Sequence, residues 1–237
     1  DCPSGMEVDT GETAQEILDA DLTISFAAAK QGFFTRAAAV LGQLKVVDIG
    51  IPAGLEEMKS INTVMPEKSD IKKMIPDRPL DAHKGTFGKL LVIAGSVNYP
   101  GAAALAADAA YRVGAGLVTL AVPGNIQALI APRLWEATWL LLPHEVGVIH
   151  ESAVDVIRSH LKDYDACLIG PGLGREPSTK HFLDRLLFEN TQQKAQIGFL
   201  HGAAGVKGSV SNLPPSVLDA DGLNLLVEMP GWAEKLP

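Results

Sequence analysis

The chain has 237 residues, 47% of them hydrophobic and 20% charged, which is enough apolar material for a sizeable core and too much for a wholly disordered chain. Lys and Arg total 20 against 28 Asp and Glu, a formal charge of −8 with no basic cluster, which argues against general nucleic-acid binding and against an anionic membrane surface. No apolar run reaches the length of a membrane-spanning helix, and the two cysteines, Cys2 and Cys167, make neither a disulfide framework nor a zinc spacing, so a reducing cytoplasm is the expected compartment.

Taken in chain order, the sequence reads as two unequal parts. Asp1-Cys2-Pro3-Ser4-Gly5 is rich in turn formers, and a short helical pattern follows from Thr13 to Asp19. Leu22–Phe26 alternates apolar and polar residues, and Leu44–Ile49 carries a Val-Val-x-Ile core; both read as strands, stopped by Ile51-Pro52. Residues 53–78 are charged and broken by Pro66 and Pro76, so they read as a connection between domains, with a helix near Gly54–Met58 as the alternative.

A βαβ series then begins. Lys89–Ala94 is a buried strand ending in Gly95-Ser96, Gly101–Val113 an Ala-rich helix closed by Gly114-Ala115-Gly116, and Leu117–Val122 the next strand. Asn125 is placed to cap a short helix through Ile130, Ala137–Leu142 is a third apolar run, and Ser152–Leu161 an amphipathic helix. Asp165–Ile169 is a strand running into Gly170-Pro171-Gly172-Leu173-Gly174, Pro177–Phe188 a helix with proline in its first turn, and Ser216–Leu218 a short strand entering Asp219-Ala220-Asp221. Residues 190–212, rich in Gly, Gln and Ser, read as a surface insertion. Alternating strands and helices predict an α/β fold with a mainly parallel sheet flanked by helices.

In such sheets ligands bind beyond the carboxyl ends of the strands. Three strand ends here carry unusual loops. Tyr99-Pro100-Gly101-Ala102-Ala103 starts a helix with little side-chain bulk, so a polar or anionic group can approach its backbone N–H groups. Gly170, Gly172 and Gly174 permit positive φ and close backbone approach. Asp219 and Asp221, two apart on an extended segment, could jointly hold a cation or hydroxyl groups. Each has an ordinary explanation: tight helix packing, a structural turn, and capping of a helix from Gly222. All three on one edge favour a site. P-loop, dinucleotide G-x-G-x-x-G and hydrolase G-x-S-x-G motifs do not occur, and the histidines show no metal spacing.

The segment His83-Lys84-Gly85-Thr86-Phe87-Gly88-Lys89-Leu90-Leu91-Val92-Ile93-Ala94-Gly95-Ser96, then Gly101-Ala102-Ala103 and Gly114-Ala115-Gly116-Leu117-Val118-Thr119, resembles the ADP/ATP-dependent NAD(P)H-hydrate dehydratase family. Ile169-Gly170-Pro171-Gly172-Leu173-Gly174 and Leu218-Asp219-Ala220-Asp221-Gly222-Leu223-Asn224 match the same family in the same order. Asp1-Cys2-Pro3-Ser4-Gly5, continuing to Asp9-Thr10-Gly11, resembles a segment of the NAD(P)H-hydrate epimerase domain; Thr23–Phe26 and Val47–Pro52 resemble its last strands. The two domains occur fused, epimerase first, in bifunctional nicotinamide-hydrate repair enzymes.

The resemblance implies a ribokinase-like fold, preceded by the last strands of a Rossmann-like epimerase domain. Residues 1–65 would be the epimerase remnant plus linker, and 66–237 the amino-terminal portion of the dehydratase domain. It implies repair of hydrated NADH and NADPH: a nucleotide, ADP or ATP with Mg2+, phosphorylates the ring hydroxyl and phosphate is then eliminated. Ala103 and Gly172 would contact the hydrated cofactor, with Asp219 and Asn224 near the same cleft. In the epimerase part Asp1 would contact substrate and Ser4 would help coordinate K+. A homo-oligomer is expected.

The departures from the family pattern are equally specific. No G-[TS]-G-D motif occurs, so the family's general base and phosphoryl anion hole have no counterpart here, and no catalytic residue is assigned. Pro143-His144-Glu145 and Lys207-Gly208-Ser209 look like family segments but come too early. With Asp at position 1, the chain is read as a piece truncated at both ends, inactive on its own in the dehydratase step. The alternative is a ribokinase-like kinase acting on a vitamin precursor, since fold does not fix function; a non-catalytic nucleotide-binding fragment is the third.

Overall fold

The computed structural model describes residues 1–52, 54–56, 61, 64–189 and 213–236. The chain divides into two units, Asp1–Asp77 and Arg78–Pro237.

In the first unit, strand β1 (Leu22–Phe26) pairs in parallel with β2 (Gln43–Val47), Leu22 opposite Gln43 and Phe26 opposite Val47. The alternation seen in β1 is inverted in use: Thr23 and Ser25 are buried, while Leu22, Ile24 and Phe26 are exposed. The buried hydroxyls are satisfied by donating to Leu41 O and Ala28 O, each at 2.7 Å. β2 stops two residues short of the expected Ile49, where the Asp48 carboxylate accepts from the Gly50 N–H at 2.8 Å in an Asx turn. Met6, Phe33 and Leu41 form a small core between 3₁₀ turns at Gln31–Phe34 and Arg36–Leu41. The helix expected over Thr13–Asp19 does not form. Thr13 makes an isolated antiparallel bridge to Met6, and the Ala14 N–H donates to Gly5 O, so tertiary pairing replaces the local helical pattern.

Within the expected connection lies a helix, α1 (Lys68–Met74), entered through a reciprocal capping box between Glu67 and Asp70 and with no buried residue. The alternative helix near Gly54–Met58 falls partly outside the described residues.

The second unit is built on five parallel strands. β3 (Lys89–Ile93) is followed by α2 (Pro100–Val113), which ends on Gly114 in the left-handed region. β4 (Leu117–Pro123) leads through a 3₁₀ turn at Gly124–Ile126 into α3 (Gln127–Ile130). Asn125 therefore lies inside a turn and caps nothing. β5 (Thr138–Leu142) runs into a hairpin of β6 (His144–Glu145) and β7 (Val148–Ile149). Then come α4 (Ala153–His160), β8 (Ala166–Ile169), α5 (Pro177–Phe188), β9 (Ser216–Leu218), α6 (Asp221–Val227) and α7 (Trp232–Lys235). The insertion expected at 190–212 lies outside the described residues.

The strand order is β5-β4-β3-β8-β9. Side chains alternate between two apolar layers, as strand geometry requires. On β3, Leu91 and Ile93 join the layer of α4, α5 and α6, while Val92, and Ala94 just beyond the strand, join the layer of α2. The small Ala103, Ala107 and Ala110 let α2 lie close on the sheet. Among the described residues no helix is long and apolar enough to cross a membrane.

Candidate functional site

The strand order reverses between β3 and β8: the chain moves outward to β4 and β5, then returns to the other side of β3. Loops leaving two such strands run in opposite directions and leave a crevice at their carboxyl ends. The Gly95 N–H donates to Pro171 O at 2.8 Å, tying the β3 and β8 loops together at the floor of that crevice. Gly170 lies directly against the carbonyl of Asp219, and the Asp219 N–H donates to Ile169 O at 3.0 Å, which adds the β9 loop. The three loops singled out in the sequence thus meet at one place. Between them is a cleft of about 340 Å³ lined by Asn98, Tyr99, Gly174, Arg175, Glu176 and Asp221.

Gly172 adopts φ 66°, and a methyl group there would stand 2.6 Å from the Ala102 Cβ and 2.8 Å from the Tyr99 Cβ. The glycine loop therefore rests on the start of α2, and glycine is required by both conformation and space. Gly101, exposed, is the second residue of the same helix, whose start has no side-chain cap. Ala103 is fully buried, its methyl packed under Gly95; its part is to fix how closely α2 approaches β3.

Asp221 does not cap its own helix. Its Oδ2 accepts from the Gly174 N–H at 3.0 Å and pins the end of the glycine loop. The preceding Ala220 has φ 49° and ψ −119°, a conformation costing an L-residue roughly 1–3 kcal/mol. Asp219 and Asn224 are both exposed, on the loop and first turn beside the cleft. The two aspartates do not converge with a third ligand: among the described residues no group of three His, Cys, Asp or Glu side chains gathers as a metal site would. Across the outer rim Glu228 takes Arg175 and, at 3.1 Å, Lys180; these two cations hold its carboxyl below the usual range.

Glu176, Asn98 and Arg175 line the cleft but were not singled out in the sequence. Glu176 carries one usable signal: it sits between the glycine loop and the first residue of α5. Conversely, His83–Lys89, prominent in the sequence, lies at the amino end of β3, away from the cleft. There His83 Nδ1 accepts from the Gly85 N–H at 3.1 Å, the Lys89 N–H donates to Asp165 at 2.8 Å, and Arg78 stacks over Phe87 at 4.4 Å. Its role in the fold is to seat the first strand.

In the first unit, Asp1 accepts from the Phe26 N–H at 2.7 Å and pairs with Lys30 at 3.2 Å. The Lys30 ammonium also donates to Ser25 Oγ, Phe26 O and Ala28 O at 2.9–3.2 Å. Ser4 is exposed.

The family model described as NAD(P)H-hydrate dehydratase matches residues 90–235, which takes in every strand of the five-stranded sheet and all three loops. The chain belongs to the NAD(P)H-hydrate dehydratase family. A second model, YjeF-related protein N-terminus, matches residues 1–32. The bifunctional NAD(P)H-hydrate repair enzyme of Moorella thermoacetica is 35% identical over 228 residues, covering 95% of this chain and 39% of its own length. The enzyme of that name from Coxiella burnetii is 35% identical, covering 99% of this chain and 42% of its own. In Escherichia coli the corresponding values are 33%, 97% and 38%. The chain thus spans about two fifths of the length of these relatives. Among solved structures, the ADP/ATP-dependent NAD(P)H-hydrate dehydratase of Bacillus subtilis co-crystallised with ATP and Mg2+ aligns with 54% of this chain and 43% of its own, at 31% identity and TM-score 0.42. Membership of the NAD(P)H-hydrate dehydratase family favours the repair reading over the vitamin-precursor kinase.

Proposed function

We propose that the second unit takes part in nicotinamide nucleotide repair: nucleotide-dependent dehydration of hydrated NADH or NADPH, in a protein that also epimerises the hydrate. The observation that carries this reading is the family match over residues 90–235, which falls on the sheet whose strand ends form the cleft. Gly172 and Ala103 do not line the cleft and would shape it from beneath, by letting the glycine loop and α2 pack closely, while Asp219 and Asn224 would stand at its edge. Residues 1–65 are read as the tail of the epimerase domain plus linker, with Asp1 a substrate contact held in place by Lys30.

The 237 residues hold no G-[TS]-G-D motif to cradle a phosphoryl group. No trio of carboxylate, His or Cys side chains gathers among the described residues, so Mg2+ would arrive on the nucleotide's phosphates. For K+, Ser4 is the one residue proposed, while the oxygens gathered beside Asp1 hold the Lys30 ammonium. A homo-oligomer and a cytoplasmic location complete the proposal.

The test is calorimetric binding and thermal stabilisation. A ligand that binds only the folded state raises stability by RT ln(1 + [L]/Kd), about 2.7 kcal/mol at a hundred times Kd. Hydrated NADH should raise the unfolding midpoint; no shift at saturating concentration would contradict the reading. Incubation with hydrated NADH and ADP or ATP, followed by the near-ultraviolet absorbance of reduced nicotinamide, should show no fast recovery for these residues alone. The missing acid–base group costs about 10²–10⁴-fold, and the missing anion hole adds to that.

A further inference from the structure

Resting on the repair reading, we propose that Glu176 is a ligand-binding carboxylate of the cleft, accepting a hydrogen bond from a hydroxyl or carboxamide donor of the hydrated nicotinamide riboside. Glu176 stands immediately before Pro177 at the N-cap of α5, where a side-chain oxygen can accept from the first free N–H groups of the helix. It makes no such bond. Its side chain folds back over Gly174 instead, with Oε2 against the face of that glycine. This oxygen is shielded from solvent and has no hydrogen-bond partner.

Its nearest loop donor and its charged neighbours are engaged elsewhere. The Gly174 N–H goes to Asp221, and Arg175 and Lys180 go to Glu228. Structures rarely leave a buried acceptor unpaired, and a carboxylate least of all. Among the described residues two other buried side-chain atoms share this condition, Ser96 Oγ and Thr179 Oγ1, both on fully buried residues. Ser96 follows Gly95 at the end of β3, and Thr179 lies one turn into α5. All three unspent polar atoms therefore belong to the two segments that leave the switch point. Of the three, Glu176 is the one that lines the cleft, whereas Ser96 and Thr179 are fully buried behind it; a carboxylate at a cleft wall with an unpaired oxygen is placed to take a ligand's donor. A carboxylate also disfavours phosphate, so the group it receives is the neutral, hydroxyl-bearing part of the dinucleotide.

The test separates binding from folding. Hydrated NADH, hydrated reduced nicotinamide mononucleotide and ADP are titrated calorimetrically into the chain, Glu176→Gln and Glu176→Ser. Both variants should bind the two hydrated ligands about 10-fold or more weakly, the loss expected for a hydrogen bond to a charged group, and bind ADP unchanged. Their unfolding midpoints should be equal or higher, since an unpartnered carboxylate is removed and serine can cap α5. Lowered midpoints with unchanged affinity would mark Glu176 as structural and overturn the proposal, as would a loss confined to ADP. If the unsubstituted chain binds neither hydrated ligand, the repair reading itself falls and this assignment with it.

Discussion

At the scale of single residues, the cleft depends on glycines and on carboxylates used out of place. Gly172→Ala would force a methyl between Tyr99 and Ala102 in a left-handed backbone. It should destabilise the second unit by about 1–3 kcal/mol and abolish binding of hydrated NADH, read by chemical denaturation and calorimetry. Asp221→Ala removes the acceptor of the part-buried Gly174 N–H and should weaken binding about 10-fold and cost the second unit about 1–3 kcal/mol of stability. Cys167 gives a pH test. Burial pushes its thiol up to about 11, against a small opposing hydrogen bond from Ser216. The folded chain keeps the proton that the unfolded chain loses near pH 9, so stability is full below pH 9 and falls as pH rises from about 9 to 11. A Cys167→Val variant should lose that part of the alkaline decline, and iodoacetamide should label Cys167 only after unfolding. The glycines and Asp221 are each common in turns, and were legible because their loops follow strands at the same edge of a parallel sheet. Glu176 was not, because a glutamate before a proline is the ordinary composition of a helix start.

At the scale of elements, segments bounded by clear turn or proline signals read correctly: Leu22–Phe26, Pro177–Phe188 and Ser216–Leu218 occupy the residues their patterns indicate. The errors fall where tertiary contacts override local preference. Thr13 pairs with Met6 rather than starting a helix. The β6–β7 hairpin turns through Val146 and Gly147, both at positive φ, and valine there conceals the usual Asn-Gly signal. α1 hid among prolines and charges because it buries nothing and so has no apolar period. The Glu228 clamp on Arg175 and Lys180 joins α6 to the glycine loop and α5. Its carboxyl is held low, so this support is complete above the ordinary carboxylate range and is lost as pH falls through it. Glu228→Gln should lower the stability of the loop only slightly, as exposed pairs do, and should remove part of the acid dependence of the melting midpoint.

At the scale of the whole molecule, the parallel sheet and its order locate the crevice before any side chain is considered. Reversal of direction at β3 and β8 puts the Gly95, Gly170 and Asp219 loops on one edge, while His83–Lys89 falls on the other. The sequence alone showed that these loops exist; it could not show that Gly95 bonds to Pro171 or that Asp221 reaches Gly174, because those contacts span 76 and 47 positions of chain. The match to residues 1–32 and the match to 90–235 fall in different units. The central claim, that the strand-end cleft is where hydrated dinucleotide binds, is tested most directly by amide hydrogen exchange with and without hydrated NADH. Protection should rise together in residues 95–102, 170–176 and 219–224 and stay unchanged in 83–89. Protection absent from the three loops, or confined to the amino ends of the strands, would contradict it.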